Sequence, residues 1–165
     1  MRQFTTLFTI SLILFSGCSS TSERYTPSTS EEKVMTSYKN VRLLRDNRSQ
    51  TVLSAVFLNQ VYPKYADGSA HFVIGFYTRD KNSALCFDKK DVCAAGDYTL
   101  VLNGENALYF EELEMNDPLR ELMPVNIGWN RYYYVRYKLP SASPVLVLES
   151  DHTERAAITY QKEPQ

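Results

Sequence analysis

Asn103-Gly104, set between the short apolar runs 98–102 and 107–110, constrains what this chain can fold into more than any other feature. Asn-Gly supplies the positive φ that a two-residue hairpin turn needs, so the segment predicts a β-hairpin. Runs of the same kind recur on both sides. Residues 51–62 are rich in Val, Leu, Phe and Tyr and stop at Pro63, Asp67-Gly68 marks a turn, and residues 70–79 make the next run. On that run Phe72, Ile74 and Phe76 share one face, while His71, Val73, Gly75, Tyr77 and Arg79 share the other. Residues 127–139 predict a long aromatic strand, and residues 145–149 and 156–161 a terminal hairpin across Ser150-Asp151-His152-Thr153.

Helix is nearly absent from this pattern. Asp117 is placed to cap a turn or two with Pro118 at its first position, and Pro124 stops it. Twelve Tyr and eight Phe suit pleated, half-buried surfaces and argue against wholesale disorder. About six to eight short strands with closely spaced turns predict an all-β fold. The expected architecture is an antiparallel β-sandwich of immunoglobulin-like kind, with a small barrel as the alternative.

The first residues follow another logic. Arg2 precedes an uncharged, largely apolar run over residues 4–15, which ends in Leu14-Phe15-Ser16-Gly17-Cys18 before a polar stretch from Ser19. A charged start, an apolar middle and small residues at a boundary are the layout of a secretory signal. The run is shorter than the about 20 apolar residues that a spanning helix needs. Cys18 directly after Ser16-Gly17 resembles the signal of bacterial lipoproteins, with Phe15 standing where that class usually has leucine. The resemblance implies that Cys18 becomes the acylated first residue of the mature chain. Several acyl chains then hold it to the membrane, where one alone attaches only marginally. Ser19 in place of aspartate implies the periplasmic face of the outer membrane. Residues 1–17 are then a signal peptide, 18–38 a lipidated cysteine with a flexible Ser/Thr-rich tether, and 39–165 the sandwich domain.

The formal net charge is −1, and −2 once the leader with Arg2 is removed, a balance that points to no nucleic-acid partner. An exported protein meets an oxidising compartment, so Cys86 and Cys93 are expected to form a disulfide that staples an exposed loop. Their spacing is too long for a Cys-x-x-Cys redox site, and no histidine lies nearby to complete a zinc set. No metal, cofactor or catalytic residue is expected. His71 and His152 read as surface residues, and Glu111, Glu112, Glu114 and Asp117 as a solvated acidic edge.

The aromatic strand carries the functional expectation. Alternation assigns Ile127, Trp129, Tyr133, Val135, Tyr137 and Leu139 to the core, with Arg131 as the exception, and turns Tyr132, Tyr134, Arg136 and Lys138 the other way. Tyrosine interleaved with arginine is the composition of protein-recognition surfaces. Tyr132, Tyr134 and Arg136 are therefore the candidate partner-binding residues, with stacking on sugars as a second use. Alternatively, a neighbouring loop or residues 41–45 cover this face. The chain reads as a non-catalytic interaction or assembly module of the bacterial envelope with a protein partner. In size, tether and fold class it is similar to accessory lipoproteins of secretion and envelope machines. An envelope enzyme, or a ligand or glycan carrier acting near peptidoglycan, is the alternative.

Overall fold

Apolar side chains that recur every second residue bury one face of each strand, and two such faces close on each other here. The computed structural model describes residues 28–45, 48–88, 97–150 and 154–161. One sheet holds β1 (Tyr38–Arg45), β2 (Arg48–Phe57), β3 (Ser69–Thr78), β6 (Tyr109–Glu112) and β7 (Arg131–Lys138), in the order β1-β2-β3-β7-β6. The other holds β4 (Leu85–Cys86), β5 (Tyr98–Leu102), β8 (Val145–Ser150) and β9 (Arg155–Thr159), in the order β4-β5-β8-β9. The fold is an all-β sandwich. All pairings are antiparallel except β4 with β5, which is parallel. In an immunoglobulin domain the second and third strands lie in different sheets. Here β1, β2 and β3 form one continuous meander, so the connectivity departs from that expectation.

The main core lies between the sheets. Leu53, Phe57, Phe72, Ile74, Phe76, Tyr133, Val135 and Tyr137 from the first sheet meet Leu100, Leu102, Leu146, Leu148 and Ile158 from the second. The Phe72, Ile74 and Phe76 face predicted from alternation is this core face. Two tyrosines bury their rings and still satisfy their hydroxyls, Tyr137 donating to the Leu100 carbonyl at 3.1 Å and Tyr160 to the Ala55 carbonyl at 2.9 Å.

Three expectations change. The Asn103-Gly104 turn forms, with φ of 50° and 85° and reciprocal backbone hydrogen bonds between Leu102 and Glu105 at 3.0 and 2.9 Å. The predicted hairpin does not continue past it. β5 is already flanked by β4 and β8, so no vacant edge remains for a returning strand. The chain crosses instead to the other sheet, where β6 pairs with β7.

The tether also ends earlier than read. Residues Thr29–Ser37 form a helix, α1, whose start is a capping box: Glu31 N–H donates to Ser28 Oγ and Ser28 N–H to the Glu31 carboxylate. Buried Ser37 locks the helix to β2, donating to the Phe57 carbonyl at 2.8 Å and accepting from Phe57 N–H at 2.9 Å. The expected signal peptide, Cys18 and the first part of the expected tether lie outside the described residues.

The third change concerns the aromatic strand, which starts at Arg131 rather than residue 127. Residues 127–130 close a turn, Asn130 N–H donating to the Ile127 carbonyl at 3.0 Å. Trp129 is consequently a loop residue, 75% exposed, and not part of the core. The expected short helix does form, as a 3-10 helix over Pro118–Leu122 with the Asp117 carboxylate accepting from Leu119 N–H. The terminal hairpin is β8–β9.

Candidate functional site

The outer face of the first sheet carries a second, smaller core. Val56, Val73 and Tyr132 point outward from β2, β3 and β7, and are covered by Val34 of α1, by Leu58 and Val61, and by Leu113 and Met123. Tyr132 is only 1% exposed, which removes it from any contact surface. The alternative held for this face is therefore correct in part: a neighbouring segment, residues 113–123, covers Tyr132. Residues 41–45 do not cover it, because they belong to β1 at the far edge of the sheet.

Tyr132 has a different role, as a peg for the loop that follows the 3-10 helix. Its hydroxyl donates to the Val125 carbonyl at 3.0 Å and accepts from Ile127 N–H at 2.9 Å and Asn130 Nδ2 at 3.3 Å. The buried Arg120 guanidinium lies 4.4 Å from the centre of its ring, and reaches Asn126 Oδ1 at 3.3 Å. One side chain thus holds the loop at the backbone of Val125 and Ile127 and at the side chain of Asn130.

Further along the same face, Tyr134 and Arg136 are half-buried. Tyr134 ends a hydrogen-bonded chain that the sequence did not reveal. Its hydroxyl lies 2.6 Å from His71 Nδ1, and His71 Nε2 lies 2.8 Å from Asp67 Oδ1. A carboxylate only accepts, so Nε2 carries a proton, and in the neutral ring Nδ1 accepts from Tyr134. His71 is buried, correcting the expectation of a surface histidine. Asn59 sets the geometry. It accepts from His71 N–H at 2.8 Å and donates to the Tyr65 and Ser69 carbonyls at 2.9 and 2.7 Å, fixing the turn that presents Asp67.

The hydrogen bond from His71, and then that from Ser69 N–H, hold the Asp67 carboxyl below its ordinary value of 3.8, while burial pushes the Tyr134 hydroxyl above its ordinary value. Tyr134 therefore stays protonated at neutral pH, and the chain orients its ring rather than making it a nucleophile. The depressed Asp67 value has a stability consequence. Its contribution is fully present above the unfolded carboxyl's range and is lost as pH falls through the folded value. Thermal midpoints measured from neutral to strongly acid pH are expected to fall less steeply for Asp67→Asn than for the native chain, and parallel curves would refute the coupling.

Around Tyr134 the surface is aromatic and mixed in charge. Tyr109 of β6 lies 6.2 Å from its ring and Tyr65 6.5 Å, centre to centre. The Arg136 guanidinium sits 5.8 Å from the Tyr109 ring centre, and the Tyr109 hydroxyl donates to Glu111 at 2.6 Å. Glu111, Glu112 and Glu114 are exposed, whereas Asp117 is spent on its helix cap. Of the expected cysteine pair, Cys86 ends β4 and Cys93 lies outside the described residues, as does His152. No protein-family model, curated protein or solved structure matches the chain.

Proposed function

We propose that the chain is a lipid-anchored, non-catalytic recognition module on the periplasmic face of the outer membrane, acting on a protein partner of the envelope. The anchor rests on Leu14-Phe15-Ser16-Gly17-Cys18 and its resemblance to the lipoprotein signal. The observation that carries the recognition reading is the cluster of Tyr109, Tyr134 and Arg136 beside an exposed edge strand. All four residues of β6 are exposed, and Leu108, Tyr109 and Phe110 place apolar surface at the sheet's border. Tyrosine and arginine are enriched where proteins meet, and large apolar side chains left in water mark such sites. Compared with the surface read from alternation, Tyr109 takes the place of Tyr132.

Exchanging Tyr109 and Arg136 for serine is expected to leave the thermal midpoint nearly unchanged, because Tyr109 is exposed and Arg136 half-exposed. The same exchange is expected to abolish crosslinking to envelope proteins in intact cells. Undiminished crosslinking by the folded variant would overturn the proposed surface. Tyr134 is left in place because it also holds His71.

Export also supports a Cys86–Cys93 disulfide. Closing a loop of about eight residues would contribute about 2.5 kcal/mol on the chain-entropy account. Intact-mass spectrometry of the membrane-extracted protein tests anchor and bridge together. The expected mass is that of residues 18–165 with acyl groups on Cys18, less two hydrogen atoms for the bridge. An unmodified Cys18 would refute the anchor, and free alkylation of Cys86 without reductant would refute the bridge.

A further inference from the structure

We infer that the groove between the outer face of β1–β3 and the loop of residues 125–130 binds a carboxylated oligosaccharide. The groove is distinct from the Tyr109–Arg136 surface, and the inference does not depend on the anchor. Its volume is about 340 Å³ and it opens to solvent on one side. Small-molecule sites begin at about that size.

Three observations select the ligand. The first is Trp129, whose indole stands three-quarters in water at the rim. A tryptophan side chain normally buries most of its large apolar area, and this one contributes nothing to either core. Tyr38 and Tyr77 line the same groove. Flat aromatic faces suit the apolar C–H face of a sugar ring.

The second observation is the polar lining. Asn40, Arg42 and Asn130 face the groove, and no carboxylate lines it. Planar amides and a guanidinium are matched to hydroxyl and carboxylate groups at the edge of a stacked ring. Arg42 is exposed, is the only charged side chain lining the groove, and has no ion-pair partner among the described residues. The charge complement of such a site is an anion. Carboxylate is the group that an arginine fork grips with two parallel hydrogen bonds.

The third is rigidity. Tyr132 holds the loop backbone before Gly128, at Val125 and Ile127, and the Asn130 side chain after it, while Asn130 N–H closes the turn on the Ile127 carbonyl. Trp129 is therefore presented in place before any ligand arrives, which lowers the ordering cost of binding. A protein partner would be expected to meet a broader apolar surface than this small groove, whose lining mixes Val52 and Ile127 with Asn40, Arg42, Ser54 and Asn130.

Trp129 is the only tryptophan of the chain, so emission excited at the red edge, where its twelve tyrosines do not absorb, reports this groove alone. The full chain, extracted in detergent, is titrated with alginate oligomers, which carry carboxylates, and with neutral dextran oligomers of equal length. Alginate is expected to shift the emission to shorter wavelength and to saturate, with dextran acting far more weakly. Arg42→Gln is expected to weaken alginate binding about tenfold or more, the loss of a charge-assisted hydrogen bond. Trp129→Ala is expected to keep the native thermal midpoint and to lose retardation on an alginate affinity gel. An emission unmoved by both sugars would overturn the inference. So would alginate binding that survives both substitutions, or a shift produced only by an envelope protein.

Discussion

Phe72→Ala is expected to cost about 3–5 kcal/mol, the range for deleting a fully buried phenylalanine from a well-packed core. Phe72 has no exposed surface and sits mid-strand in β3, between Phe57 of β2 and Val135 of β7. Its ring stacks on Phe57 at 4.8 Å between centres and meets Tyr160 at 5.6 Å and Tyr137 at 6.1 Å. Those tyrosines cannot move in to fill the space. Their hydroxyls are tied to the Ala55 and Leu100 carbonyls, and collapse would leave buried polar groups unpaired. The loss should therefore lie at the upper end of the range. Against a total stability of about 5–15 kcal/mol it leaves the domain marginal. Urea unfolding checks it: the midpoint is expected to fall sharply with the slope unchanged. A shift no larger than that of Phe110→Ala, at the half-exposed border of the core, would contradict the packing described here.

The second large effect is expected at Gly75, where the reason is a close approach and not a turn. A Cβ built there meets Met123 Cε at 2.9 Å and Tyr132 Cε1 at 3.1 Å. Alanine faces two opposed effects. Met123 can swing its flexible end aside, and losing a glycine from a strand interior returns about 0.5–1 kcal/mol of backbone entropy. Valine adds two methyl groups against the Tyr132 ring, which Arg120 holds from above and three hydrogen bonds hold at its hydroxyl. Overpacking of this kind costs about 1–3 kcal/mol. The displacement of Tyr132 would also release residues 125–130. Gly75→Val is expected to lower the urea midpoint and the fluorescence anisotropy of Trp129 together, whereas Gly75→Ala should move both slightly. A Gly75→Val chain with native anisotropy would show that Tyr132 does not hold the loop.

Much of this architecture was legible before any coordinates. The inward set Phe72, Ile74 and Phe76 follows from a period of two, which is a local property of extended backbone. The Asp117-Pro118 cap, the Asn103-Gly104 turn and the β8–β9 hairpin are local as well. α1 was legible but missed: Ser28 and Glu31 are spaced as a capping box, a signal obscured by the surrounding Ser/Thr-rich composition. Gly128 and Asn126, both turn-formers, likewise flag residues 125–130 as loop and Trp129 as something other than core. The Asp67–His71–Tyr134 chain had no such signal, because β3–β7 register brings His71 beside Tyr134 from 63 residues away.

The sequence by itself determined most of the strands, their inward faces and most of the turns. These depend on neighbours a few residues apart, where dihedral preference and alternation act. Tertiary structure alone decided which edges were vacant and which outward faces were covered. It sent residues 109–112 to β7 because β5 had no free side, and it buried Tyr132 under Met123 while leaving Trp129 in water. Both outcomes depend on what occupies the far side of a strand, and no local pattern encodes that.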